Sequence, residues 1–238
     1  MDIEKTGAHV YLGRDAGRDC MDSIKHADST VKIVSPYLSP KYIRKLLKLH
    51  EKGIKIRLIT SDHIEEKDEE LDHKDLIKQE CHVDETRHLV RIGIISLASI
   101  AFIISLIMLS SERLTGIIIL LSSIILGTAS FFFIRTKYYS YFPVIDLKVF
   151  DSSADNEGKR GYLIHSKIYI IDDSVAYLGS MNFTRNGFVN SYESSIKLKE
   201  KKAVRKVSEE FDWLFDNCEL LEKDIDTWGK ELYDEPRN

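Results

Sequence analysis

Two long stretches without a charged side chain constrain this 238-residue chain more than anything else in it. Residues 92–109 and 114–134 carry none, and only Ser110-Ser111-Glu112-Arg113 separates them. Each is close to the ~20 residues that a bilayer-spanning helix requires. A soluble core would have to wrap two helices that are apolar all round, and the rest of the chain is too small to do so. The pattern predicts a transmembrane helical hairpin over 89–134. Arg87, Arg91, Arg135 and Lys137 flank its open end, against Arg113 in the turn. By the cation bias of cytoplasmic loops, both termini and the remainder of the chain are expected in the cytoplasm. Tyr138, Tyr139 and Tyr141 read as an interfacial belt after the second span.

Outside the hairpin the periodicity alternates between strand and helix. Short strands are expected at His9–Leu12, Val31–Val34, Ile54–Thr60 and Ile145–Phe150. Between them lie a helix from Asp15 to Ala27 and another from Pro40, a residue suited to a first helical turn, to Gly53. Strand, helix and strand at this spacing imply a right-handed crossover and a parallel pair. Residues 199–218 form an amphipathic helix through Val204, Val207, Phe211, Leu214 and Cys218. Asp62–His88 is heavily charged with a thin apolar stripe of Ile64, Leu71, Leu76, Ile77 and Val83, and reads as a solvated helix. The predicted class is α/β: a mixed sheet flanked by helices and interrupted by the hairpin. Residues 1–88 and 135–238 are the two parts of one domain around the insertion.

The chemistry concentrates in Tyr162–Asp172. Read as one strand, it puts the His165 imidazole and the Lys167 ammonium two residues apart and hence on one face. Asp172 closes the strand at a turn, and Val175–Leu178 delivers the corner Gly179-Ser180-Met181-Asn182. A small-residue corner lets amides, a hydroxyl and a carboxamide approach an anion closely. These residues make a phosphate pocket. A lysine on that face argues against a merely buried histidine, because lysine is rarely buried unpaired.

A formal charge of −4 supplies no global basic field for nucleic acid. A local basic run, Lys197, Lys199, Lys201, Lys202, Arg205 and Lys206, is a solvated face by default and a meeting place for anionic headgroups or phosphates otherwise. Cys20, Cys81 and Cys218 are scattered, with no disulfide framework or zinc ribbon, so a reducing compartment is expected. His63, His73, His82 and His88 fit no metal-ligand spacing. Neither metal nor cofactor is expected, and the N-terminus has no signal-peptide pattern.

His165-x-Lys167-x-x-x-x-Asp172 with Gly179-Ser180-x-Asn182 closely resembles the signature of the phospholipase D superfamily. Ile33–Tyr37 and Gly53–Arg57 resemble the front half of that family's repeat. The resemblance implies a phosphodiesterase working through a covalent phosphohistidine on His165. Lys167, Asp172 and Glu193 are the other catalytic residues, and Ser180 and Asn182 bind the substrate phosphate. Glu193 stands where the family has a Glu that orients the histidine, although relatives often carry Asn two residues earlier, where this chain has Ser191 beside Asn190. The chain has one motif where the chemistry needs two histidines. Single-motif relatives homodimerise, so a homodimer through the active-site face is implied. A membrane tether favours a phospholipid headgroup as substrate, with membrane lipids as neighbours. The alternatives are a membrane-tethered endonuclease, with Lys159, Arg160 and Arg185 along a nucleic-acid backbone, and a catalytically silent membrane scaffold. Phe183, Phe188 and Tyr162 are as readily packing residues as base-stacking ones.

Overall fold

The computed structural model describes residues 8–62, 73–151, 164–216 and 221–236. His63, Ile64, Leu71, Lys159, Arg160, Tyr162 and Cys218 lie outside the described residues. The strands are β1 (Ala8–Gly13), β2 (Thr30–Val34), β3 (Lys55–Ser61), β4 (Ile77–Val83), β5 (Lys137–Pro143), β6 (Asp146–Phe150), β7 (Ile168–Ile171), β8 (Val175–Gly179) and β9 (Glu193–Leu198). The helices are α1 (Arg18–Lys25), α2 (Pro40–His50), α3 (Glu85–Ser111), α4 (Arg113–Phe133), α5 (Lys201–Asp216) and α6 (Ile225–Leu232). The chain divides into two compact units, one of residues 1–78 and 141–233, the other of 79–140 and 234–238.

In the first unit a seven-stranded sheet has the order β1-β9-β8-β7-β2-β3-β6. The β2–β3 and β3–β6 pairs are parallel, as the crossover through α2 demands, and the remaining pairs are antiparallel. β7 lies at the centre, and all four of its residues are buried because both sheet faces are covered there. On one face Val34, Ile59, Phe150, Ile168, Ile170 and Ala176 pack against Val204 and Phe211 of α5. Lys32, on β2, anchors that helix by donating to Ser208 Oγ at 2.7 Å and pairing with Asp212 and Asp173 at 3.1 Å. On the other face Tyr169 and Tyr177 lie under α1 and α2, and Lys197 pairs with Asp19 of α1 at 2.7 Å. Lys197 therefore leaves the solvated basic run to which its sequence position assigns it.

Two expectations need correction. Ile77–Val83 is a strand paired with β5, not part of a solvated helix, and His73 is buried beside Trp228 with ring centroids 5.4 Å apart. Tyr141 is not at an interface. It is buried against α6, where a Cβ on Gly229 would come within 2.3 Å of the Tyr141 ring, so that position takes only glycine. Where β4 begins and β5 ends, Val144 N donates to Leu76 O at 2.9 Å.

In the second unit α3 and α4 run 27 and 21 residues, each long and apolar enough to cross a membrane. At 1.5 Å per residue these lengths are about 40 and 31 Å, against a hydrocarbon core of about 30 Å. Their outward residues are exposed, unlike those of a soluble core helix. The buried positions are all small, Ala98 and Ser105 on α3 and Gly116, Ser123 and Ser130 on α4. On each helix they recur every seven residues, the spacing of a left-handed helix pair. The hydroxyls of Ser99, Ser105, Ser123, Thr128 and Ser130 donate to carbonyls one turn back, which satisfies them without water. Gly116 fixes the turn: a Cβ there would lie 2.8 Å from Leu109 N. Gly116→Leu is expected to destabilise the hairpin by about 2 kcal/mol, the usual scale of overpacking, measured by denaturant titration in micelles.

Candidate active site

The candidate side chains gather where β7 begins, β8 ends and β9 begins. Antiparallel pairing brings these three chain segments together, with Gly179 opposite Ser195 and Ile168 opposite Leu178. Residues 164–167 are an extended lead-in, and the ladder starts only at Ile168. His165 is exposed while Lys167 is buried. The Lys167 ammonium donates to His165 O at 2.6 Å and to His165 Nδ1 at 3.0 Å. No carboxylate lies within ion-pair distance of it among the described residues. Burial lowers the pKa of this ammonium below the ordinary lysine value, and the negative charge of Glu193 offsets the effect only in part.

Gly179 N donates to Lys167 O at 3.2 Å and ties the end of β8 to the lead-in. A Cβ on Gly179 would sit 2.1 Å from Ser194 O, so the close approach of β8 and β9 requires glycine here. Ser180 N donates to Ser194 O at 3.0 Å, and Ser194 N donates back to Ser180 Oγ at 3.0 Å. The Ser180 hydroxyl itself donates to Glu193 Oε2. In this arrangement Glu193 is engaged by Ser180 and the His165 ring by Lys167.

Asn182 is half-buried, and its Oδ1 is buried without a hydrogen-bond partner among the described residues. The loop carrying it is braced from below. Tyr169 Oη donates to Met181 O at 2.6 Å, and Phe183 N donates to Ser35 Oγ at 2.9 Å. Burial raises the Tyr169 hydroxyl well above the ordinary tyrosine value, so it stays a donor. Phe183 and Phe188 are packing residues, edge-on to each other at 5.7 Å and both against Tyr42.

Asp172 is elsewhere. Seven residues of extended chain, about 3.3 Å each, put it roughly 20 Å from His165 at the opposite end of β7. It and Asp173 adopt left-handed conformations, φ 52° and 46°, in the turn to β8, which aspartate tolerates better than most residues. Its carboxylate accepts from the backbone N–H groups of Asp28, Ser29 and Thr30 at 3.0, 2.8 and 2.9 Å and from Ser29 Oγ at 2.8 Å. Burial alone would raise the Asp172 pKa, but these donors outweigh it and hold the carboxyl below its ordinary value. The structure thus brings together His165, Lys167, Ser180 and Glu193, with Asn182 on the adjoining loop, and does not bring Asp172 to them.

Ser35, Tyr169 and Ser194 belong to this neighbourhood and escape the sequence reading. Tyr169 follows Lys167 on the same pleat face, a period-two signal that was there to use. Ser35 and Ser194 meet the site through strand pairing and carry no local signal.

Residues 133–215 match the family model described as cardiolipin synthase, PLD-like domain. No curated protein matches the chain. Among solved structures, NucT from Helicobacter pylori is similar at 15% identity and a TM-score of 0.49, over 89% of this chain and 96% of its own. Nuc from Salmonella typhimurium, a phospholipase D family member, is similar at 10% identity and 0.42, over 86% and 92%. Phosphatidylserine synthase from Haemophilus influenzae is similar at 12% identity and 0.43, over 95% of this chain and 41% of its own.

Proposed function

We propose that this chain, whose residues 133–215 match the PLD-like family model, is a membrane-anchored phosphodiesterase of phospholipase D type acting through a covalent phosphohistidine on His165. One observation carries the reading: an exposed imidazole is held by a buried ammonium that has no carboxylate partner among the described residues. A phosphate is the missing counter-charge.

Attack needs a lone pair on His165 Nε2, hence a proton on Nδ1. In the structure Nδ1 accepts from Lys167, the arrangement of a resting site. When phosphate arrives, Lys167, Ser180 and Asn182 turn to its non-bridging oxygens. Glu193, released by Ser180, accepts a hydrogen bond from Nδ1–H and so favours the reactive tautomer, the ring giving up its Nε2 proton to water and gaining one at Nδ1 as it exchanges Lys167 for Glu193. The N–P bond forms as the P–O bond to the leaving group breaks, and His165 of the partner subunit protonates the leaving oxygen. That same imidazole, now neutral, takes a proton from water, which attacks phosphorus and breaks the N–P bond. Asp172 acts at a distance, holding β7 to the segment that enters β2.

The second copy has a surface to meet. Val10, Leu12 and Ile196 on β1 and β9 are 49%, 65% and 41% exposed, an uncovered apolar sheet face beside Ser194. A two-fold contact there is self-complementary. The hairpin anchors each copy, and its flanking cations favour a cytoplasmic site.

The test is made on detergent-purified protein with chelator present, offering labelled phospholipids and nucleic acids. Headgroup release or strand cleavage, with acid-labile phosphate trapped on the protein, is the expected result; silence on every phosphodiester would overturn the proposal. The pH profile adds a check on Lys167. Its ammonium must be charged to meet phosphate, and its pKa lies below the ordinary 10.5. Turnover is expected to fall on the alkaline side below that value, and Lys167→Arg to move the fall upward, since guanidinium stays protonated.

A further inference from the structure

Beside the site, α1 and α2 enclose a groove of about 250 Å³ lined by Arg18, Lys25, Tyr42, Lys45 and Phe188, together with two carboxylates, Asp15 and Asp22. Both carboxylates are engaged, Asp15 with Arg18 and Asp22 with Lys25, each at 2.8 Å. Lys45 has no carboxylate within ion-pair distance among the described residues; its ammonium lies 4.3 Å from the Tyr42 ring centroid. Lys41, one helical turn before it, and Arg185 likewise have none. Burial lowers the Lys45 pKa, and repulsion from Lys25 and Lys41 lowers it further, as expected for cations gathered without their anion. The positive charge of Arg185 reaches the Tyr42 hydroxyl.

The groove joins the site through packing. Tyr42 meets Phe183 edge-on at 5.4 Å, Ser39 N donates to Phe183 O at 3.2 Å, and Phe183 follows Asn182 directly. A cation row therefore starts three residues past Asn182 and continues along α2, where Lys41 and Lys45 project about 6 Å apart. A phosphodiester with a single phosphate leaves this row empty, whereas a nucleic-acid strand carries a phosphate at every step. Tyr42 is buried and offers no ring face to a base, so the contact is electrostatic and indifferent to sequence.

We propose that the cationic edge of this groove, with Lys45 in its lining, Lys41 one helical turn away on α2 and Arg185 on the adjoining loop, binds the phosphates flanking the scissile one in a nucleic-acid strand. This rests on the phosphodiesterase reading and gives that site its substrate class. The test uses the full chain with His165→Ala, in nanodiscs of zwitterionic lipid, titrated against a labelled oligothymidylate over a salt series. Adding Lys41→Gln, Lys45→Gln and Arg185→Gln is expected to weaken binding about 10-fold or more and to make the salt slope shallower by about 2, near 0.7 per lost phosphate contact. Lys41→Arg with Lys45→Arg retains binding, which separates charge from misfolding. Equal affinity and slope in the neutralised protein overturn the proposal. So does a loss confined to phosphatidylglycerol vesicles, which would make the groove a lipid-surface patch. Hydrolysis of bis(p-nitrophenyl) phosphate by the unsubstituted protein reads the chemistry separately: with hydrolysis intact and the groove silent, only the groove assignment falls. With no hydrolysis but groove-dependent strand binding, the groove stands and the phosphodiesterase reading falls.

Discussion

On the proposed mechanism, His165→Ala is expected to lower phosphodiester turnover by about 10⁴-fold or more, because it would remove the nucleophile and, in the partner subunit, the acid–base group at once. The more telling form is a mixture. Equal amounts of unsubstituted and His165→Ala chains, associating at random, give about a quarter fully paired dimers, so activity falls to about a quarter. Independent sites would retain about half, a result that would sink the composite site while leaving His165 catalytic. Loss of trapped phosphate alongside loss of turnover identifies the covalent step. A protein inactive before substitution, with a dimer intact, would instead fit the scaffold reading.

Asp172→Ala carries the second large effect, and it falls on stability. The substitution strands the N–H groups of Asp28, Ser29 and Thr30 and places alanine at φ 52°, where a Cβ is strained. Together these cost about 3 kcal/mol, or about 10 °C in Tm for a domain of this size. Asp172→Asn keeps one acceptor and a residue at ease in the left-handed region, so it should recover part of the loss. The folded pKa of Asp172 is lowered, so its contribution is present above the ordinary carboxylate value of 3.8 and disappears as pH falls through the folded value. Denaturant titrations of both proteins should therefore converge at acid pH. A large loss of turnover at unchanged stability would return Asp172 to the reacting groups.

The sequence marks the hairpin and the β2–α2–β3 crossover plainly, because both are written in local periodicity. His165, Lys167 and Ser180 are legible for a different reason: short spacings on paired strands leave few ways to arrange them. Spacing does not, however, say which end of a strand matters. Asp172, seven residues from His165, is as close in the chain as it is distant in space. Ile77–Val83 reads as helix because its partner strand begins more than fifty residues later, and the alternation Ile77, Gln79, Cys81, Val83 is too weak to declare itself alone. Tyr141 follows an apolar span, yet Gly229, far downstream, gives it a buried seat. The Lys41–Lys45–Arg185 row has no sequence signature, since its members meet only through the packing of α2 on the Phe183 loop.

The bond from Val144 N to Leu76 O has a use in protein engineering. It joins the residue just before β4 to the residue just after β5, and β3 and β6, the sheet strands on either side of the excursion, are already hydrogen-bonded neighbours. A few glycines between Ile77 and Val144 would remove the β4–α3–α4–β5 excursion as one piece, leaving every strand of the seven-stranded sheet in the chain and uncovering the face of α6 on which Tyr141 packs. Such an excised chain lacks both long apolar helices and is expected to purify without detergent, which size-exclusion chromatography would check.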